Sequence, residues 1–323
     1  MPETPKDPHM PSALSLVADI GGTNTRVALA SGKVVDAGSV RRYANRDAPD
    51  LAHVLHRYLA DTGTDHGQIT GVCVAAAGPV HDGVADLTNL PWRVERAMLA
   101  QVLSAEKVAV LNDLQAQGHA IGHLSPEMIS PVLSQPEASG QAAKLVVGVG
   151  TGFNAAPIYD TTLGRFVPPS ECGHISLPLC GPEGAALSAH LRDAHGFAAV
   201  EEALSGRGIE AIHVFLHNQR MSAADIMSAL EDGNSQAEAT ARLFVRILGT
   251  VVGDLALVHL PFGGIFLVGG VSRAFAPYLE RFGFAEAMHA KGRFGPFLKQ
   301  FGVAVVSDDY AALTGCASHL THL

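Results

Sequence analysis

The sequence predicts an α/β fold of two similar halves with a ligand cleft between them, and three observations lead there. Short apolar, β-rich runs alternate with stretches of helical periodicity, the pattern of strands and helices in layers. Leu16-Val17-Ala18-Asp19-Ile20-Gly21-Gly22-Thr23-Asn24 and Leu145-Val146-Val147-Gly148-Val149-Gly150-Thr151-Gly152-Phe153-Asn154 share one plan: apolar strand, Gly/Thr turn, Asn. Two such units so far apart in one chain suggest a duplicated domain. With 323 residues the chain is long enough for two domains of ordinary size.

The elements follow in order. Leu14 to Ile20 reads as a strand, and Thr25 to Ala30 as its hairpin partner, because Gly and Asn in the turn tolerate positive φ. Residues 49–62 read as a helix, with Leu51, Val54, Leu55, Tyr58 and Leu59 on one face. Gly71 to Ala77 is a short buried strand stopped by Gly78-Pro79, and Lys107 to Leu111 is a strand that runs into Asn112-Asp113. Lys144 to Ile158 is the second glycine-punctuated strand pair. Residues 235–260 carry the clearest helical stripe, through Leu243, Phe244, Ile247, Leu248, Val251 and Val252. Gly249 and Gly253 within it permit close packing. Gly264 to Val268 is a buried strand ending at Gly269-Gly270, and Ala311 to Leu320 is a final helix.

Composition excludes several classes. An apolar fraction of 47% with 16% charged residues supports large cores and argues against disorder. A net charge of −9, with no block of like charge, argues against binding a nucleic-acid backbone. No apolar stretch reaches the roughly 20 residues that span a bilayer. The first residues hold four prolines without the basic-then-apolar order of a signal peptide, so residues 1–13 are expected to be a flexible leader and the protein cytoplasmic. Four cysteines (Cys73, Cys172, Cys180 and Cys316) form no C-x-x-C pair and are expected as reduced thiols.

Five motifs can carry chemistry. In Asp19-x-Gly21-Gly22-Thr23-Asn24-x-Arg26, glycines admit an anion to the backbone N–H groups. Thr23 and Asn24 add side-chain donors, Arg26 can neutralise phosphate, and Asp19 can sit near a metal–nucleotide complex. Gly148-x-Gly150-Thr151-Gly152 offers the same donors. No G-K-[ST] follows and no G-x-G-x-x-G opens a helix, so neither a Walker loop nor a dinucleotide site is indicated. Asn112-Asp113 stands at a strand end, where ligands collect in α/β sheets. A carboxylate there can accept a hydroxyl proton, although aspartate at a strand end also serves as turn former or helix cap. Glu171-Cys172-Gly173-His174, behind Pro168-Pro169, presents an acid and an imidazole able to grip vicinal hydroxyls. A zinc site from Cys172, His174 and Cys180 matches no common spacing. Gly269-Gly270-Val271-Ser272 can let a purine and ribose lie on backbone, or can be a tight strand-to-helix turn. His213 and His217 stand at i and i+4 without the glutamate of H-E-x-x-H, and read as ordinary helix histidines. No resident metal site is therefore expected.

In this order the motifs resemble the bacterial glucokinase family, within the hexokinase–actin superfamily of ATP-dependent sugar kinases. The matching text also includes Thr88-Asn-Leu-Pro-Trp92, Leu111-Asn-Asp-Leu114, Glu201-Glu-Ala-Leu-Ser-Gly206, Leu267-Val-Gly-Gly-Val-Ser272 and Lys291-Gly-Arg-Phe294, and covers nearly the whole chain. The resemblance implies two actin-like (ribonuclease H-like) α/β domains: a smaller one of residues 14–122 with 306–323, and a larger one of residues 123–305. It implies Asp113 as the base for the sugar 6-hydroxyl, and Asn112, Glu171, His174 and Glu201 as sugar ligands. The Asp19–Arg26 hairpin and the Gly150 loop match the two phosphate loops, and Gly269, Gly270 and Ser272 match the adenosine segment. ATP, Mg2+ and glucose are the implied partners, with homodimers usual among relatives. The text departs from the family at Phe153-Asn154, where Leu-Gly is commoner, and at Val167-Pro168-Pro169-Ser170 before Glu171. These positions bear on donor affinity or sugar range. A neighbouring family of repressors and sugar kinases carries a C-x-C-G-x-x-G-C cluster, of which only Cys180-Gly181 is present. Kinases of fructose, mannose or an N-acetylated sugar, a sugar-sensing regulator, and polyphosphate as donor are the competing readings.

Overall fold

A computed structural model describes residues 14–87, 90–179 and 181–323 of the chain. Backbone contacts divide it into two compact units. The first runs to His123 and takes back the end of the chain from Tyr310, and the second spans Leu124–Asp309. Residues 306–309, expected with the first domain, thus group with the second. The expected leader, Thr88-Asn89 of the Thr88–Trp92 motif, and Cys180 lie outside the described residues.

The first unit is built on strands β1 (Leu14–Ile20), β2 (Asn24–Ser31), β3 (Val34–Val35), β4 (Arg41–Ala44), β5 (Ile69–Ala76) and β9 (Lys107–Asn112). Their sheet has the order β3-β2-β1-β5-β9, with β4 also paired to β2. β1, β5 and β9 are parallel, and β2 is antiparallel to β1. Parallel strands covered on both faces read as continuous apolar runs, and β5 is buried at seven of its eight positions. Alternate residues serve opposite faces. Leu16, Ala18, Ile20, Val72, Val74 and Val110 join one cluster with helices α1 (Leu51–Thr62) and α2 (Arg96–Leu103). Val17, Cys73, Ala75, Ala109 and Leu111 join another with helix α3 (Asp113–Ala120) and the C-terminal helix Ala311–Leu320. Helix α1 starts two residues later than expected because Asp50 is its N-cap, accepting from the His53 N–H at 2.8 Å. It stops at Gly63, whose φ of 66° is left-handed. A small antiparallel sheet of β6 (Val80–His81), β7 (Val84–Asp86) and β8 (Arg93–Glu95) completes the unit.

The second unit repeats this topology. Its sheet contains β10 (Ile129–Leu133), β11 (Lys144–Val149), β12 (Phe153–Thr161), β13 (Gly164–Phe166), β14 (Ile265–Val268) and β15 (Val303–Val306), in the order β10-β15-β14-β11-β12-β13. β11 pairs antiparallel with β12 and parallel with β14, which is parallel to β15. Strand for strand, β13-β12-β11-β14-β15 matches β3-β2-β1-β5-β9. The α/β class and the internal duplication expected from the two glycine-turn units are both present. Helices α4 (Gly181–His195), α5 (Gly206–His217), α6 (Ala223–Glu231), α7 (Ser235–His259), α8 (Gly270–Phe275), α9 (Phe284–His289) and α10 (Gly295–Leu298) surround the sheet. Helix α7, roughly 37 Å long at 1.5 Å per residue, is capped by Asn234, which accepts from the Gln236 and Ala237 N–H groups. Phe244, Ile247, Leu248, Val251 and Val252 on it are buried in the unit's core. Each such side chain contributes about 1.5–3 kcal/mol by leaving water. Among the described residues no helix is long and apolar enough to cross a membrane.

Candidate active site

In the first unit, parallel register decides which loops meet. Ile20, Ala76 and Asn112 are register partners across β1, β5 and β9. Strands lie about 4.8 Å apart, so the end of β9 is about 10 Å from the end of β1. The Gly21–Asn24 turn and Asn112-Asp113 therefore share the carboxyl edge of one sheet.

The turn is tightly held. The Gly21 N–H donates to the Asn24 carbonyl at 3.0 Å, while Gly22 and Thr23 are exposed. Asn45, 2% exposed, is its brace: its amide nitrogen donates to the Gly21 carbonyl at 2.8 Å, and its oxygen accepts from the Thr25 hydroxyl at 2.8 Å. The Asn45 N–H also reaches the Thr23 carbonyl. Sequence reasoning missed Asn45, which stands 24 residues from Gly21 and belongs to no motif. Asp19 and Arg26 face each other in register, with Arg26 Nη1 donating to Asp19 Oδ2 at 3.3 Å. Burial raises the Asp19 pKa, and the Arg26 charge and hydrogen bond oppose that rise. Arg26, the expected phosphate partner, thus also faces Asp19.

Asn112 is the N-cap of α3. Its Oδ1 accepts from the Leu114 N–H at 2.9 Å, and the Gln115 side chain returns to the Asn112 N–H at 3.0 Å, a full capping box. Its Nδ2 donates to the Gly78 carbonyl at 2.9 Å. Asn112 is buried, and its amide ties the ends of β5 and β9 together with one donor and one acceptor position to spare. Asp113, the first residue of the helix, is exposed, and its Oδ1 also accepts from the Leu114 N–H at 2.9 Å.

In the second unit the Gly150–Gly152 turn joins β11 to β12, closed by the Gly150 N–H to the Gly152 carbonyl at 2.9 Å. Thr151 at its tip is exposed. The Gly206 N–H donates to the Gly150 carbonyl at 2.9 Å, and the Phe153 N–H donates to Glu201 Oε2 at 2.9 Å. The Glu201 N–H in turn reaches the Gly173 carbonyl at 2.8 Å. Gly173 must lack a side chain, because a Cβ there would overlap the Phe153 carbonyl oxygen. Glu171, Gly173, His174 and Glu201 are in this way gathered around the start of β12. Burial raises the Glu171 pKa. The His174 charge opposes that rise, and repulsion from Glu201 adds to it.

Glu201 is tied from both sides. Arg207 Nη2 donates to its Oε1, and Arg207 Nε donates to Glu202 Oε2 at 3.2 Å. A carboxylate has about four lone-pair sites, so Glu201 keeps acceptor capacity for a hydroxyl. Arg207 was not singled out in the sequence, where it follows the matching Glu201–Gly206 text as one exposed basic residue.

Gly269 follows β14 beside the same turn, since Val268 is the register partner of Gly148. Its φ of 98° and the nearby Val149 carbonyl require glycine. Gly270 opens α8, and Ser272 is buried, its hydroxyl facing the protein interior rather than the surface.

Among the described residues no group of three His, Cys, Asp or Glu is placed to hold a metal ion, and Cys180 of the zinc alternative lies outside them. His213 Nδ1 lies 2.9 Å from the Thr240 hydroxyl and His217 Nε2 lies 3.0 Å from the Gln236 carbonyl, so both pin α5 to α7. Cys172 donates to Asn154 Oδ1 at 3.5 Å, and burial pushes its thiol up, away from a reactive thiolate. Cys73 and Cys316 are buried free thiols.

A family model described as Glucokinase matches residues 16–323. The chain is 33% identical over 315 residues to a glucokinase of Pseudomonas aeruginosa (strain LESB58), covering 94% of this chain and 93% of that protein. It is similar to the crystal structure of a glucokinase from an Antarctic psychrotroph, with a TM-score of 0.85 and 30% identity over 96% of this chain and 99% of that one. A glucokinase of Balamuthia mandrillaris, solved in complex with glucose, shares the fold at a TM-score of 0.76 and 21% identity, over 96% and 94% of the two chains. The chain belongs to the glucokinase family.

Proposed function

We propose that the protein transfers the γ-phosphoryl group of ATP to the 6-hydroxyl of D-glucose, giving glucose 6-phosphate and ADP. The observation that carries this reading is the shared sheet edge. The strand end that leads into the exposed Asp113 lies about 10 Å from the strand end that leads into a glycine turn braced by Asn45. A γ-phosphoryl group and a sugar hydroxyl fit within that span.

In the proposed mechanism the turns at Gly21–Asn24 and Gly150–Gly152 take the ATP phosphates, and Gly269–Ser272 takes the adenosine. Asn112, Glu171, His174 and Glu201 hold the sugar hydroxyls. Asp113 accepts the O6 proton as transfer proceeds in line. Positioning and charge stabilisation supply most of the catalysis. Excluding water from the site keeps it from taking the phosphoryl group.

Asp19 is the residue that would hold Mg2+. Mg2+ keeps several waters and binds through one or two carboxylates plus phosphate oxygens. A single carboxylate on the strand that leads into a phosphate turn, as Asp19 is, fits that need. The ion would neutralise phosphate charge.

The family assignment and the glucose-bound relative of the same fold support glucose as acceptor. A cytoplasmic site of action and a homodimer remain part of this proposal, with no role for nucleic acid or membrane. The test is a coupled ADP-release assay over glucose, fructose, mannose and N-acetylglucosamine, with ATP and polyphosphate as donors. The expected result is the highest kcat/KM with glucose and ATP. Higher kcat/KM with another hexose would replace the acceptor, and no turnover with any pair would overturn the reading.

A further inference from the structure

Asn154 is the second residue of β12, directly after the Gly150–Gly152 turn, and its side chain spans to the loop that carries Glu171. Its Nδ2 donates to the Ser170 carbonyl. Its Oδ1 accepts from the Cys172 N–H at 3.2 Å and the Cys172 thiol at 3.5 Å. One amide thus grips the backbone on both sides of Glu171. That grip has work to do. Glu171 has no cap bond of its own, and it faces the like charge of Glu201. The preceding residue, Phe153, fixes Glu201 through its N–H, and its carbonyl abuts Gly173. Two adjacent residues therefore set both carboxylates from the strand that closes the glycine turn.

We propose that Asn154 is a positioning residue for sugar recognition, holding the Glu171–His174 turn where it meets the sugar hydroxyls. The inference rests on the reading of Glu171 as a sugar ligand. It concerns a residue that touches neither substrate and acts through the turn it holds. Removing the amide leaves the Ser170 carbonyl and the Cys172 N–H without this partner, so the loop that carries Glu171 loses its tie to β12. A misplaced hydrogen-bonding carboxylate costs about ten- to a hundredfold in affinity for the hydroxyl it served. The donor turn on the other side of Phe153 keeps its own closing bonds to Gly152 and Gly206, so ATP recognition should be spared.

The experiment compares steady-state kinetics of wild type, Asn154→Ala, Glu171→Gln and the double variant, with melting temperatures in parallel. Asn154→Ala is expected to raise the glucose KM about tenfold or more, with the ATP KM changed less than about twofold. The double variant should be no worse than Glu171→Gln by more than about twofold, because both changes remove one function. Asn154→Asp keeps the acceptor for the Cys172 N–H but sets an oxygen against the Ser170 carbonyl, and should fall between wild type and Asn154→Ala. An active wild type whose glucose KM is indifferent to Asn154→Ala overturns the inference alone. So does a variant that loses melting temperature or ATP affinity without a selective loss for glucose, or a double variant whose effects multiply. A wild type that phosphorylates no hexose overturns the underlying reading instead.

Discussion

Replacing Asp113 by asparagine separates its proposed proton chemistry from its place in the fold. Asparagine has nearly the same shape, and its side-chain oxygen can still accept from the Leu114 N–H that Asp113 Oδ1 now engages at 2.9 Å. The α3 cap is untouched, since Asn112 supplies it independently. What disappears is the negative charge and the ability to take a proton. The charge at a helix N-terminus contributes about 0.3–1 kcal/mol. For a chain of this size that corresponds to a fall in Tm of less than about 4 °C. Loss of a general base contributes about 10²- to 10⁴-fold in rate, or roughly 2.7–5.4 kcal/mol of barrier at 1.36 kcal/mol per decade. The assay is steady-state ADP release at saturating glucose and ATP, with glucose binding measured separately by calorimetry and Tm by scanning calorimetry. The expected pattern is a kcat lowered a hundredfold or more, glucose affinity within about threefold of wild type, and a nearly unchanged Tm. Asp113→Ala should likewise lose nearly all turnover while still binding glucose. A kcat within tenfold of wild type would refute the assignment of Asp113 as base, and a Tm loss above about 10 °C would refute the separation of charge from fold.

Asn112→Ala removes the α3 cap and leaves the Gly78 carbonyl without its 2.9 Å partner. It should destabilise the first unit by about 2–4 kcal/mol, read from the urea midpoint of Trp92 fluorescence, the sole tryptophan and a buried one in that unit. Gly173→Ala forces a methyl into the Phe153 carbonyl, which should cost about 1–3 kcal/mol of stability and raise the glucose KM, both measurable on the purified variant. Asp160 is ion-paired to Lys144 at 2.8 Å and Arg165 at 2.7 Å. Burial alone would raise its pKa, but the two cations outweigh it and lower the carboxyl to about 2. Because the folded pKa lies below the unfolded value near 4, its contribution is present above pH 4 and is lost as pH falls toward 2. Asp160→Asn should therefore flatten the pH dependence of urea stability in that window, by on the order of 2 kcal/mol. Equal slopes for wild type and variant would contradict this.

Much of the architecture was legible because burial writes itself into local text. A central parallel strand is covered on both faces, so β5 and β11 read as unbroken apolar runs. Helix α7 declares itself by a stripe that repeats every turn. Boundaries were less legible, since α1 was read from residue 49 and begins at Leu51, after the Asp50 cap. The short strands β6, β7 and β8 and the edge strand β10 were not read, since two to five residues hold too little pattern. The turn glycines and the polar residues after them were visible as motifs because phosphate-sized ligands need bare backbone. The braces of those motifs were not. Asn45 supports Gly21 across 24 residues, Arg207 pairs with Glu201 six residues away on another element, and Asn154 reaches Ser170 and Cys172 across a loop.

The amino-acid order by itself determined two copies of a strand–turn–strand unit and family membership, and it named the candidates for binding phosphate or a sugar alcohol. Each depends on residue type and spacing along a chain. Only the folded molecule decided that Ile20, Ala76 and Asn112 end side by side, that Arg26 faces Asp19, and that Glu171 and Glu201 are held on one strand. Those outcomes depend on sheet register and on hydrogen bonds between distant segments. Neither is encoded in any short window, because a carbonyl or N–H finds its distant partner only after the intervening chain has packed.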